Sequence, residues 1–262
     1  MAVNRRRSQA AAKRRRRIQI TGWTALSALA VTIVGFAVWA YTPYPTHPEP
    51  LREMFGRADL LVESSADSIV LSAVADDLPL TGQALLFYPG ARVEPHAYAT
   101  TFADTVSQTG LTVIIPRATA NLAIADSRAL SDFQALAPDV TITAVGGHSM
   151  GGVRACMLVT SESISALVLV ASYCAEDVSA SGIPALSVFG GNDLLISDED
   201  RLAGQLLLPT GSTEVILDGA SHASFGDYGP QSGDGVPTLS RDAVIEAFST
   251  ELVDYLSVEL GS

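Results

Sequence analysis

No acidic residue precedes Glu49, and no charged residue of either sign lies between positions 18 and 41. The first absence leaves an N-terminal tail whose charge is wholly positive, and the second leaves a long stretch with nothing to hold it in water. Basic residues are scarce in the rest of the chain. Beyond position 17 there are 8 of them against 28 acidic ones, a net charge of −20. A body so acidic repels phosphate backbones, which excludes nucleic acid as a partner for everything after the tail. Cysteine is limited to Cys156 and Cys174, and histidine to four scattered positions with no H-E-x-x-H pattern. These cannot assemble a cysteine-rich zinc site or a zincin helix, and the acidic, glycine-rich stretch 227–234 lacks the spacing of an EF-hand loop. No metal and no other cofactor is expected. There is also no internal repeat with a period of about 20 to 50 residues and no low-complexity tract, which excludes solenoids and arrays.

What is present begins with a cationic cluster, Arg5, Arg6, Arg7, Lys13 and Arg14 to Arg17, directly before the charge-free run. As a helix rising ~1.5 Å per residue, residues 18–41 span roughly 36 Å, more than the hydrocarbon thickness of a bilayer. Apolar on every face, the segment reads as a membrane span and not as a core helix. The positive-inside rule then keeps the tail, 1–17, in the cytoplasm and sends the acidic part outward, giving a single-pass protein of the cell membrane. Trp23, Trp39 and Tyr41 suit the two interfaces. A cleaved signal peptide is the rival reading, with Val38 and Ala40 at the −3 and −1 positions, but the run exceeds the roughly 7 to 15 residues of a signal core. Four prolines within 42–50 favour an extended polyproline conformation. Residues 42–66 are therefore read as a stalk and linker, and 67–262 as the globular part, of a size that suits one core.

That globular part alternates short apolar runs with helical patterns, as βαβ units and a mostly parallel, doubly wound sheet require. Strands are expected at 68–72, 84–88, 111–116, 141–146, 166–172, 185–190 and 214–217, and helices at 95–109, 127–137, 150–161, 198–208 and 240–256. Continuous runs such as Leu167-Val168-Leu169-Val170 suit strands buried on both faces.

Gly147-His148-Ser149-Met150-Gly151 falls between the expected strand at 141–146 and an apolar helical stretch. This is the setting of the G-x-S-x-G nucleophile elbow, in which small residues on either side of the serine let the chain turn sharply and expose Oγ. A serine at such a junction is also an ordinary helix N-cap. The partners decide between the two. Asp193, in Gly190-Gly191-Asn192-Asp193, and His222, in Gly219-Ala220-Ser221-His222, each follow a strand end, in the order serine, acid, histidine. With Leu86-Phe87-Tyr88-Pro89-Gly90-Ala91, these segments make residues 80–256 similar to the α/β-hydrolase superfamily. The likeness is greatest to small bacterial members of the dienelactone hydrolase branch. Two departures stand out. Tyr88-Pro89-Gly90 occupies the place of the common His-Gly, and Ser149 stands where dienelactone hydrolases use cysteine, so that particular activity is not implied.

Residues and resemblance together imply acyl transfer to water. Ser149 attacks an ester or thioester carbonyl, His222 takes its proton and Asp193 orients the imidazole. The backbone N–H groups of Met150 and Ala91 are the expected oxyanion donors. Asp218 and Asp198 compete for the role of the acid but read as a turn residue and a helix cap. His148, at the variable elbow position, points away from Ser149 and reads as packing, while His96 is a possible pocket residue. Asn121, Leu122, Phe225 and Tyr228 are candidates for the substrate wall. Cys156 and Cys174 are placed for a disulfide, with two free thiols as the alternative. Only twelve residues, 173–184, separate two strands where other hydrolases insert a helical cap. An open cleft for small or surface-presented esters is therefore expected. The competing function is a non-catalytic surface module that keeps the fold to bind a partner.

Overall fold

The computed structural model describes residues 2–159 and 164–261. It contains two compact units, Met1–Thr42 and Pro43–Ser262. The first is one continuous helix, α1 (Ala2–Ala40), so the backbone of the basic tail is helical from Ala2 onward. Within it Gln19–Ala40 spans 22 residues with a mean hydropathy of 1.8, long and apolar enough to cross a membrane. Its large apolar side chains, Trp23, Val31 and Val38 among them, are exposed.

The second unit runs in the order α2 (Pro48–Phe55), β1 (Leu60–Ser64), β2 (Ser68–Ala73), β3 (Gln83–Tyr88), α3 (His96–Thr109), β4 (Thr112–Pro116), α4 (Leu130–Gln134), β5 (Thr141–His148), α5 (Met150–Cys156), β6 (Ala166–Val170), β7 (Ala185–Gly190), α6 (Asp198–Gln205), β8 (Thr213–Leu217) and α7 (Arg241–Leu260). The strands form one sheet in the order β1-β2-β4-β3-β5-β6-β7-β8. β1 pairs antiparallel with β2, and β2 antiparallel with β4, and every other pairing is parallel.

Period-two alternation sends each central strand to both faces. Leu85 and Phe87 of β3 join the core that contains Phe102 of α3 and Phe248 and Leu252 of α7. Leu86 and Tyr88 join the opposite core, with Phe133 of α4 and Ala155 of α5. Burial on both sides explains why these strands read as uninterrupted apolar runs. Ser197 and Ser240 cap α6 and α7, accepting the N–H groups of Asp200 and Ala243. Among the described residues no helix intervenes between β6 and β7, where a helical cap would be inserted.

Three stretches depart from the sequence expectation. Residues 42–66, expected as an extended stalk and linker, contain α2 and the edge strand β1, and residues from Pro43 onward belong to the folded unit. Proline is compatible with the first turn of a helix, where its missing N–H has no intrahelical acceptor anyway, and Pro48 stands there in α2. The helix expected at 127–137 shrinks to α4. Arg128 is held by the Asp126 carboxylate, which also accepts its backbone N–H (3.1 Å), and this keeps the preceding residues extended. The helix expected at 150–161 is helical to Cys156 and continues as turn to Val159, while its last two residues lie outside the described residues.

Candidate active site

Ser149 sits between β5 and α5 at φ 53°, ψ −124°, a conformation L-residues rarely adopt. Such strain persists only where the surroundings over-determine it. Here its N–H donates to the Val170 carbonyl (3.0 Å), and its own carbonyl accepts from the Ser172 hydroxyl (2.6 Å) and the Gly152 N–H (3.0 Å). The flanking glycines are required sterically. A Cβ on Gly147 would come within 2.2 Å of the Gly151 backbone, and one on Gly151 within 2.1 Å of the Tyr88 carbonyl oxygen. The first turn of α5 is thereby pressed against the end of β3. Met150, as the first residue of α5, has an N–H with no intrahelical acceptor. Neither that N–H nor the one of Ala91, in the turn after β3, donates to another group among the described residues.

Asp193 follows β7 and His222 follows β8, and the histidine Nδ1–H donates to Asp193 Oδ2 at 2.8 Å, with both side chains buried. The other carboxylate oxygen, Oδ1, accepts the N–H groups of Leu195 (2.7 Å) and Ile196 (3.1 Å). The acid is thus fixed by its own loop, and because it only accepts, Nε2 of His222 is left with its lone pair free. Asp218 and Asp198 make no such bond. Asp198 pairs with Arg201 in the first turn of α6, where Ser197 is the cap.

Ser149 and His222 line one cavity of about 250 Å³ with Met150, Val153, Tyr173, Leu195, Ile196 and Gln231. No hydrogen bond joins the two side chains directly. The four residues expected as substrate wall lie elsewhere. Asn121 closes a short 3-10 turn after β4, where its carbonyl accepts the Arg92 N–H, and Leu122 is buried beside it. Phe225 packs on Phe248, and Tyr228 lies against Tyr44, Tyr98 and His148 with its hydroxyl on Gln231. Both pack behind the histidine loop as members of the apolar core that contains Phe248. His96 is tied to Glu94 (2.7 Å) and is also outside the cavity.

Asp234 escaped the sequence reading. Its carboxylate accepts the N–H groups of His222 (3.0 Å), Ala223 (2.8 Å) and Gly235 (2.7 Å), fastening the histidine loop twelve residues upstream. Nothing in a glycine-rich acidic stretch singles out that oxygen pair. Cys156 and Cys174 form a disulfide that joins α5 to the segment after β6.

A family model described as the alpha/beta hydrolase family matches residues 84–246. No curated protein matches the chain. Among solved structures, an esterase from the planctomycete Thermogutta terrifontis aligns at TM-score 0.53 and 16% identity, covering 80% of this chain and 94% of that one. An alpha/beta hydrolase from the metagenome of sediments of the Mar Chica lagoon, Morocco, gives 0.56 and 15%, covering 76% and 98%. The esterase domain of a Rhodothermus marinus protein gives 0.54 and 15%, covering 72% and 91%. At these identities the likeness is one of fold.

Proposed function

The chain belongs to the alpha/beta hydrolase family, and from that premise we propose a membrane-anchored serine hydrolase that cleaves carboxylic esters or thioesters outside the cytoplasm. The observation that carries this reading is a strained elbow at Ser149 sharing one cavity with His222, itself hydrogen-bonded to the buried Asp193. In the proposed cycle Ser149 Oγ attacks the carbonyl carbon while His222 Nε2 takes the hydroxyl proton. The tetrahedral oxyanion is held by the N–H groups of Met150 and Ala91. Collapse expels the alcohol or thiol with the proton from His222 and leaves the acyl-enzyme, which water then hydrolyses by the same proton route. The missing Ser149–His222 hydrogen bond is compatible with this, because catalytic hydrogen bonds often tighten only when substrate is bound.

The same cavity supports short acyl groups. Without a cap, a long chain has little wall against which to gain ~0.8 kcal/mol per buried methylene. Ester-cleaving structural neighbours support the reaction class, and the serine in place of cysteine separates this chain from the dienelactone hydrolases it resembles. Anchoring through 18–41, with the basic tail cytoplasmic, rests on the apolar helix Gln19–Ala40 and the cationic cluster before it.

The test is covalent labelling of the full chain in detergent with a fluorophosphonate, together with kcat/KM for p-nitrophenyl esters from C2 to C16. Labelling is expected in the wild type and not in Ser149→Ala, which also loses turnover while keeping its melting curve. The profile is expected to peak at short chains. Wild-type turnover by Ser149→Ala would remove the serine mechanism, and a steady rise towards C16 would contradict the open cleft. Absence of both labelling and turnover in the wild type would favour the binding module.

A further inference from the structure

His148 occupies the variable position of the elbow, yet it is 1% exposed and uses both ring nitrogens. Nε2 lies 3.0 Å from the carbonyl oxygen of His222, and Nδ1 lies 2.8 Å from the hydroxyl of Tyr98. The Tyr98 oxygen in turn accepts the N–H of Gly90 at 3.0 Å. The direction of every bond follows from the ends. A carbonyl only accepts, so His148 Nε2 carries the proton; Nδ1 of the neutral ring must then accept; Tyr98 therefore donates to it. The result is a one-way chain running between the turn that carries the Ala91 amide and the loop that carries the imidazole of His222. Packing closes the gap around it: a Cβ on Gly90 would lie 2.6 Å from His148 Nδ1 and 3.0 Å from the Tyr98 hydroxyl. The ring centroids of His148 and His222 are 4.7 Å apart.

We propose that Tyr98 and His148 are positioning residues that hold the oxyanion turn and the general-base histidine in one register. This rests on the roles given above to Ser149, His222 and the Ala91 amide. Two parts that must act on one carbonyl group arrive on separate loops, after β3 and after β8, and a misplacement of about 1 Å between them costs on the order of 100-fold in rate. The Tyr98–His148 chain is the direct polar path between them inside the core. Burial, reinforced by the neighbouring His222, holds the His148 pKa well below 6.5 and so preserves the neutral ring the chain needs.

Two measurements on the full chain in detergent test this, one independent of turnover. With [15N]histidine labelling, four histidines contribute, and long-range nitrogen–proton correlation at pH 7 is expected to show His148 neutral with its proton on Nε2. A charged ring or the Nδ1–H tautomer overturns the proposal whatever the enzyme does. In kinetics, Tyr98→Phe keeps the ring and is expected to lower kcat about 10-fold or more with KM within about 2-fold. His148→Gln restores one donor and one acceptor and is expected to retain more kcat than His148→Phe. Tyr98→Phe added to His148→Phe is expected to cost little more, because the chain is already broken. Equal kcat in Tyr98→Phe and wild type, a loss confined to KM, or identical rates for the Gln and Phe variants at 148 each overturn the proposal. If the nitrogen spectrum is as expected but no wild-type fluorophosphonate labelling occurs, the failure lies with the hydrolase reading, and the proposal falls with it.

Discussion

His148, sealed into the core, takes up a proton more readily in the unfolded chain than in the folded one. His148 faces Tyr98 of α3, Tyr228 and Phe225 of the histidine loop, and His222 itself, and burial together with His222 depresses its pKa well below 6.5. Below that pH the unfolded ring takes up a proton that the native ring refuses, so the unfolded state binds more protons and stability falls as pH drops from about 6.5. The melting temperature of the full chain is therefore expected to decline between pH 7 and pH 5, and His148→Gln, which cannot be protonated, to decline less steeply. Equal slopes in a thermal-melt series would contradict this. At this scale the sequence was informative where chemistry imposes spacing: Ser149, Asp193 and His222 each sit in a small-residue turn at a strand end, after β5, β7 and β8, which is why they were read together as candidates. It was uninformative for side chains that work by where the backbone folds. Asp234 is recognisable only from the three amides it collects, and Tyr173, Leu195 and Ile196 only once their loops converge on Ser149.

Residues 43–47 show how a short element can matter more than its composition suggests. Tyr44 exchanges backbone hydrogen bonds with Arg92 (2.5 Å) and Glu94 (3.0 Å), just after the turn that follows β3, and His47 donates its N–H to the Asp227 carbonyl (2.7 Å) in the histidine loop. The segment thus straps the same two loops from outside. A chain beginning at Pro43 is expected to keep its turnover, and one beginning at Pro48 to lose about 10-fold or more in kcat. Equal kcat values for p-nitrophenyl butyrate would dismiss the strap. Four prolines disguised it, since proline content argues for extended chain but says nothing about what that chain pairs with. The buried strands were legible because burial on both faces demands unbroken apolar runs. The edge strand β1 was not, because its pattern Leu60-Leu61-Val62-Glu63-Ser64 is only half covered. The disulfide is a second element-scale device. Closing a loop between positions 18 apart stabilises by about 3 kcal/mol, or roughly 6–12 °C in Tm for a domain of this size. The Cys156→Ala, Cys174→Ala double variant is expected to melt lower by that amount, and an unchanged Tm would show that the bond contributes nothing.

For the whole molecule, the proposed topology places all 28 acids outside and the cationic tail inside, with Lys13 the only lysine in the chain. An amine-reactive reagent that cannot cross membranes is therefore expected to leave the protein unlabelled in intact cells and to modify Lys13 and the N-terminus after lysis. Labelling of intact cells would reverse the orientation. The charge asymmetry on which that proposal rests is legible in the sequence because it needs no folding to be read, whereas the division at Thr42 needed the folded unit to show where it begins. On this topology the Cys156–Cys174 bond acquires a meaning beyond strength. Thiols stay reduced in the cytosol and pair after export, so the cross-link is a delivery receipt stamped on each copy. Non-reducing electrophoresis would sort newly made molecules from those that have reached their station, and a copy stranded at home would carry an unclamped α5 beneath Ser149.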